Sequence, residues 1–486
     1  MFHSPLIQTN SFAALEDECF FSMVQPTPLV NPRMVHFNPA LATEFGLDAD
    51  DFNQEAFLDY LGGKALPDKL NPLAMAYSGH QFGQFNPGLG DGRAILLGEF
   101  QHSEGVPWEF QLKGSGPTPY SRGFDGRAVL RSVIREYLGS EAMWALGIPT
   151  TRALCLVDSD TPVIREQVEN GSMMIRVAPN HIRFGSFERF FGQGQHQQIQ
   201  ILADFCIENH HPDIHKDEDQ YGKWFDQIIL STARMVAHWQ AVGFCHGVMN
   251  TDNFSILGLT FDYGPYGFME HYDPGHVCNH SDHEGRYAYD QQPRMAFWNC
   301  LCLGRALTPI INRERLERSL ELYESELQAH YLKLIRNKLG LMSAQKEDST
   351  LVTQMLELLK TQRLDYSRFF RGLSEFSIGQ PGNPWVMQQG CSKNIIHWLE
   401  HYQNRLQSEG SDCQQRQQHM KKHNPKYILR NYLAQNAIEL AQQGDYSEVG
   451  KLIELLHSPF DEHPECEQYA DPAPESASNI QISCSS

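Results

Sequence analysis

Leu130, Ile134, Tyr137 and Leu138 recur at helical spacing in AVLRSVIREYLGSEAMWALG (128–147). They draw one apolar stripe along a helix that Gly147 and Pro149 bring to a stop. A second strong pattern, FDQIILSTARMVAHWQAVGF (225–244), sets Ile229, Ala233, Val236 and Ala237 on one face and ends at Gly243. Ahead of the first helix, NPGLGDGRAILLGEF (86–100) and VPWEFQLKGSG (106–116) read as two strands with a turn around His102 to Gly105 and a glycine-rich loop at the hairpin mouth. ALCLV (153–157) and SMMIRVA (172–178) are strand-like. Downstream, RERLERSLELYESELQAHYLKLI (313–335), TLVTQMLELLK, NIIHWLEHYQNRL and YLAQNAIELA each read as an amphipathic helix, so the second half is predicted to be mostly helical.

The order is glycine loop, hairpin, helix, more strand, long helix, polar loop, helices. It predicts an α+β chain on the two-lobed protein-kinase-like plan, with residues 76–180 as the smaller lobe and 181–410 as the mostly helical one. Residues 1–75, with Pro26, Pro28, Pro32 and Pro39, are expected to be an extension packed on the core. Residues 411–486 are expected to add helices and a polar tail. No repeat of 20 to 50 residues is visible.

Composition narrows the function. Against 39 Lys+Arg stand 59 Asp+Glu, a formal net charge of −20. Such a field repels nucleic-acid backbones and anionic membranes, so neither is expected as a partner. The N-terminus shows no basic and apolar leader and no long apolar run follows, so a soluble, cytoplasmic chain, acting as a monomer, is expected. The 11 cysteines form no C-x-x-C pair, which argues against a zinc ribbon or a disulfide framework. Cys484 stands apart, in a polar tail where no core can form around it.

The chemistry concentrates in HGVMNTDNFSILGLTFDYG (246–264). Phosphotransferase loops of the kinase type run His-x-Asp-x4-Asn, followed later by Asp-Phe-Gly. His246 and Asn253 keep that spacing, and Asp262-Tyr263-Gly264 stands for the second motif. The catalytic aspartate is missing, because Val248 occupies its place and a valine accepts no proton. Asp252 is the nearest substitute. Asn253 and Asp262 are oxygen donors suited to a hard cation such as Mg²⁺.

Upstream, Gly88, Gly90 and Gly92 would let backbone N–H groups approach phosphate oxygens, although such a run is more often a plain turn. Lys113 on the second strand and Glu136 on the next helix stand where a kinase-like fold keeps its phosphate-contacting lysine and the glutamate that holds it. Arg176 and Arg183, seven apart, are able to clamp a triphosphate; each taken alone would read as a surface ion-pairing residue.

Taken together, NPGLGDGRA, QLKGSGPTPYSR, DGRAVLRSVIREYL, HGVMNTDN, FDYGPYGF and PGHVCNHSDHEGRY closely resemble the selenoprotein O (YdiU) family. The resemblance implies a pseudokinase-like protein that transfers AMP from ATP to Ser, Thr or Tyr hydroxyls of proteins, with the nucleotide bound in reverse orientation. UMP transfer from UTP with Mn²⁺ is implied as well. At matching positions it implies Asp252 as proton acceptor and Asn253 and Asp262 as Mg²⁺ ligands. Nucleotide contacts are implied from Gly90, Gly92, Arg93, Lys113, Asp125, Gly126, Arg176, Arg183 and Asp262, with Glu136 supporting Lys113. A regulatory disulfide between Cys278 and Cys484 is implied too. Three other readings stay open: a small-molecule kinase, which needs the aspartate that Val248 displaces; a nucleotide-binding scaffold without catalysis; and a zinc site among His276, Cys278, His280 and His283.

Overall fold

A computed structural model gives the fold and describes residues 7–15, 19–47, 58–59, 62–64, 71–377, 392–410, 412–475, 477, 480 and 482. Its first half is built on one antiparallel sheet. The predicted hairpin is Ala94–Gln101 paired with Pro107–Lys113, with Ala94 opposite Lys113 and Phe100 opposite Trp108. Val168–Ala178 lies between Pro107–Lys113 and Arg152–Asp158. That register puts Arg176 opposite Gln111 and Met174 opposite Lys113.

Residues ahead of position 76 contribute strands as well as packing. Phe21–Met23 pairs with Leu73–Met75, and Arg33–Phe37 pairs with Arg152–Asp158 at the opposite side of the sheet. Successive side chains of a strand point to opposite faces. Leu96, Leu156 and Met174 accordingly join the large core that includes Leu130–Ala145, whereas Leu97, Cys155 and Ile175 join a smaller core against Pro39–Glu44. The helix carrying Glu136 therefore lies against the sheet on one face.

Asn431–Gln442 and Ser447–His457 pack on that same helix. Buried Glu141 ties them to the sheet, taking hydrogen bonds from Arg152 (2.9 Å) and pairing with His457 (3.0 Å). Burial would raise its pKa, but these partners hold the carboxyl down at about 2.

From Gln220 onward the chain is mostly helical, apart from the short pair Phe244–His246 and Tyr266–Phe268. Gln220–Val242 is the long helix that the periodicity indicates, ended by Gly243 in the left-handed conformation (φ 76°). The single helix expected over 313–335 is instead two, Arg313–Leu320 and Leu322–Leu339, separated by a turn at Glu321. Both pack on Gln220–Val242, a tertiary arrangement that periodicity alone does not register. Among the described residues no helix is long and apolar enough to cross a membrane.

Candidate functional site

A cavity of about 680 Å³ opens between the sheet and the loop that follows Gln220–Val242. Gly90, Gly92, Arg93, Lys113, Asp125, Gly126, Arg176, Arg183, Val248, Asp252, Asn253 and Asp262 all line it. Seven basic side chains (Arg93, Lys113, Arg122, Arg127, Arg165, Arg176, Arg183) face four carboxylates (Asp91, Asp125, Asp252, Asp262). In a chain of net charge −20 this is a local reversal of sign, suited to an anionic ligand.

The centre is a buried charge network. Lys113 pairs with Glu136 and stands 3.6 Å from Asp262. Arg176 reaches Glu136 at 3.2 Å and Asp262 at 2.5 Å, while its fork also donates to Gln111. Arg183 pairs with Asp262 and donates to the Asp252 backbone carbonyl at 2.7 Å. Burial works against charge on Asp262, yet Arg176, Arg183 and Lys113 hold its carboxyl well below the ordinary range. Burial lowers the pKa of Lys113, offset by Glu136 and Asp262. Asp262 itself sits at φ 58°, a left-handed conformation that Asp tolerates better than most residues.

Asp252 behaves differently. It lies in the turn Thr251–Asn253 and is 6% exposed; among the described residues its carboxyl has one side-chain partner, Gln81 Nε2 at 3.3 Å, and its Oδ1 has none. Desolvation raises its pKa to about 7, with Arg183 restraining the rise. Gly79 makes room for it, since a Cβ there would stand 2.5 Å from Oδ1. A carboxyl poised near neutrality is what proton transfer at physiological pH requires.

His246 is a framework residue. Its ring stacks on Trp239 (5.3 Å between centroids), its Nδ1 accepts from the Val248 N–H (3.2 Å), and its Nε2 stands 3.3 Å from the Phe261 carbonyl. Burial takes its pKa to about 4, so it is neutral.

Gly90 and Gly92 serve the packing of one cavity loop on another. At Gly90 (φ 146°) a Cβ would meet Tyr120 Cγ at 2.4 Å, and at Gly92 it would meet the Tyr120 carbonyl at 2.8 Å. Asp125 pairs with Arg165 (2.7 Å) and accepts the Arg127 N–H (2.8 Å). Arg127 in turn donates to the carbonyls of Thr27 and Pro28, so the N-terminal segment buttresses this wall.

Several site residues escaped sequence reasoning. Asp91 accepts from Gln111 Nε2 (3.1 Å) and lies 3.5 Å from Arg183. Gln81 and Gln111 are also new. Of these, Gln111 carried a usable signal, because it shares a strand face with Lys113.

Among the described residues no three of His276, Cys278, His280 and His283 bring ligand atoms together; the one such group is His80, Glu188 and Cys302. Cys278 is buried, its Sγ 3.3 Å from the Cys245 carbonyl, and burial pushes its thiol well up. Cys484 lies outside the described residues. The carbonyl of Ile482 accepts the His280 N–H at 2.8 Å, which brings Ile482 to the Cys278 segment.

The family model described as protein adenylyltransferase SelO matches residues 5–457. A protein nucleotidyltransferase YdiU of Aliivibrio fischeri is 48% identical over 486 residues, covering 100% of both chains. Proteins of the same name from Vibrio vulnificus (51% over 476 residues, 96% of each chain) and Pseudomonas paraeruginosa (47% over 481 residues, 98% of each) are similar too. On a match that spans nearly its whole length, this chain belongs to the SelO family and is a nucleotidyltransferase.

Proposed function

We propose that this chain transfers AMP from ATP to Ser, Thr or Tyr hydroxyls of protein substrates, releasing pyrophosphate, on a protein-kinase-like pair of lobes. Its relatives' name supplies the protein substrate class. The observation that carries the reading is the division of labour between two aspartates of one cavity. Asp262 is locked among Lys113, Arg176 and Arg183, while the Asp252 carboxyl forms no ion pair with any described residue and has a pKa near 7. Val248 removes the base from the position a kinase uses, and Asp252 offers another.

In this reading the nucleotide lies reversed, presenting its α-phosphorus to the incoming hydroxyl. Asp252 takes the hydroxyl proton as the new P–O bond forms and the bond to pyrophosphate breaks. Lys113, Arg176 and Arg183 neutralise the leaving phosphates. Asn253 and Asp262 fit a divalent cation, both being oxygen donors of the same cavity. The Asn253 amide nitrogen is already committed to the Val248 carbonyl (3.0 Å), which leaves its oxygen as the ligand atom. Mg²⁺ or Mn²⁺, when bound, supplies charge neutralisation to the triphosphate. UTP is the alternative donor.

The deciding experiment is incubation with a mixed protein lysate and ATP labelled at either the α- or the γ-phosphate. Protein labelling from the α position is expected. Labelling from the γ position alone would identify a kinase, and none at all would identify a nucleotide-binding scaffold. Parallel incubation with α-labelled UTP compares the two donors.

A further inference from the structure

A second cavity, of about 300 Å³, is lined by Lys333, Lys338, Lys422, His238, His330 and His423 and, among the described residues, by no carboxylate. It lies where Gln220–Val242 and Leu322–Leu339 end, and its wall includes Leu146, the residue that closes the Glu136 helix. Lys338 is only 6% exposed. Its ammonium makes no hydrogen bond or salt bridge with any described residue and lies over the Phe370 ring, 4.4 Å from its centroid. Burial alone takes its pKa down to about 7.

The Nε2 atoms of His238 and His330 are 3.1 Å apart, and burial lowers both rings' pKa values. Glu326, the acid whose field reaches His330, is paired with Arg234. A buried ammonium without a counter-charge is costly. Helix C-termini attract cations, which accounts for a lysine in a last turn, but not for six basic groups converging on an acid-free cavity in a chain of net charge −20.

We propose that this cavity binds a small phosphate monoester, its phosphoryl oxygens taken by Lys338, Lys333 and Lys422 and its organic part lying on Leu334 and Phe460. Three ammonium groups call for a dianion, since a monocarboxylate would leave most of their charge unmatched. The volume is at the small end for organic ligands.

The test is calorimetric titration of the full chain with phenyl phosphate, inorganic phosphate and benzoate, in the wild type and in Lys338→Met and Lys422→Ala. Phenyl phosphate is expected to occupy a site that Lys338→Met removes and that Lys422→Ala weakens at least ~5-fold. Inorganic phosphate is expected to bind there more weakly, and benzoate not at all. Lys338→Met keeps the aliphatic stem's volume and is expected to fold, with Lys422→Ala, at an exposed position, as the second probe. The proposal is overturned if the wild type and both variants give the same isotherms, or if benzoate or inorganic phosphate binds as tightly as phenyl phosphate. The cations would then be complements to the helix ends.

Discussion

Arg183 holds Asp252 by its backbone and Asp262 by its carboxylate: one guanidinium nitrogen donates to the Asp252 carbonyl at 2.7 Å and also pairs with Asp262. The turn Thr251–Asn253 is thereby fixed through its backbone, and Arg183 leaves the Asp252 carboxyl to Gln81. Asp252→Asn should lower turnover about 10²- to 10⁴-fold, the range for losing a general base, with nucleotide affinity little changed. In the wild type, kcat/KM should climb with pH through about 7, and that rise should vanish in the variant. The same variant should be the more stable protein. A carboxyl whose folded pKa is raised binds a proton more tightly when folded, so the native state loses stability as pH rises from about 4 to about 7. Thermal melts should show no gain for Asp252→Asn near pH 4 and the full gain above pH 7. A variant of undiminished turnover would remove Asp252 as the base.

Gln81 is the single described side chain that donates to the Asp252 carboxyl. It stabilises the ionised form, so Gln81→Leu should move the rising limb of the rate profile upward by roughly one pH unit. Nucleotide KM should stay near the wild-type value. A profile that keeps its midpoint would make Gln81 a spacer.

Asp262 is the shared counter-ion of Lys113, Arg176 and Arg183. Asp262→Ala leaves these buried cations with Glu136 and Asp91 as their remaining acidic partners among the described residues. It should cost about 3 kcal/mol of stability, measured by denaturant unfolding. Transfer should be abolished, and the dependence of nucleotide binding on Mg²⁺ should disappear with it.

How much of this was legible follows contact range. The Glu136 helix, the hairpin and Gln220–Val242 are legible in local periodicity; Val248, Asp252, Asn253 and Asp262 are legible in motif spacing, Arg93, Asp125 and Gly126 only through the family resemblance, and other residues that line the cavity, such as Tyr77, Phe82 and Arg165, in neither. Strands Phe21–Met23 and Arg33–Phe37 were hidden because they are three and five residues long and pair with Leu73–Met75 and Arg152–Asp158, far along the chain. Asp91 reads as part of a turn, since its role depends on Gln111 arriving from the strand Pro107–Lys113 and Arg183 from the start of the helix Phe184–Gly192. Gly90 and Gly92 line the cavity, and the packing on Tyr120 is a second requirement for glycine at both positions. Nothing local encodes that neighbour.

The tail offers a redox test. Ile482 is hydrogen-bonded to His280, two residues from Cys278, and Cys484 follows two residues later. If the two cysteines join, non-reducing peptide maps of oxidised protein should contain a linked pair that reduction separates. The buried, protonated Cys278 thiol predicts slow formation without a catalyst or local opening. Identical maps before and after reduction would rule the tether out.

Gly126 and Gly123 provide a matched pair for testing the cavity wall. Both have positive φ (65° and 84°), so alanine at either carries the same backbone penalty, about 1–2 kcal/mol. They differ in surroundings. A Cβ at Gly126 would stand 2.1 Å from the Gly116 carbonyl, whereas one at Gly123 meets nothing within 4 Å. Gly126→Ala must therefore part the two sides of a loop that Gly116 N–H to Gly126 O (3.0 Å) and the Arg127 contacts hold closed. Nucleotide KM should rise at least ~10-fold in Gly126→Ala and stay within ~2-fold in Gly123→Ala, because misplacement of a binding wall costs affinity whereas uniform backbone strain does not. Equal effects of the two substitutions would mean that the wall's position is irrelevant to nucleotide binding.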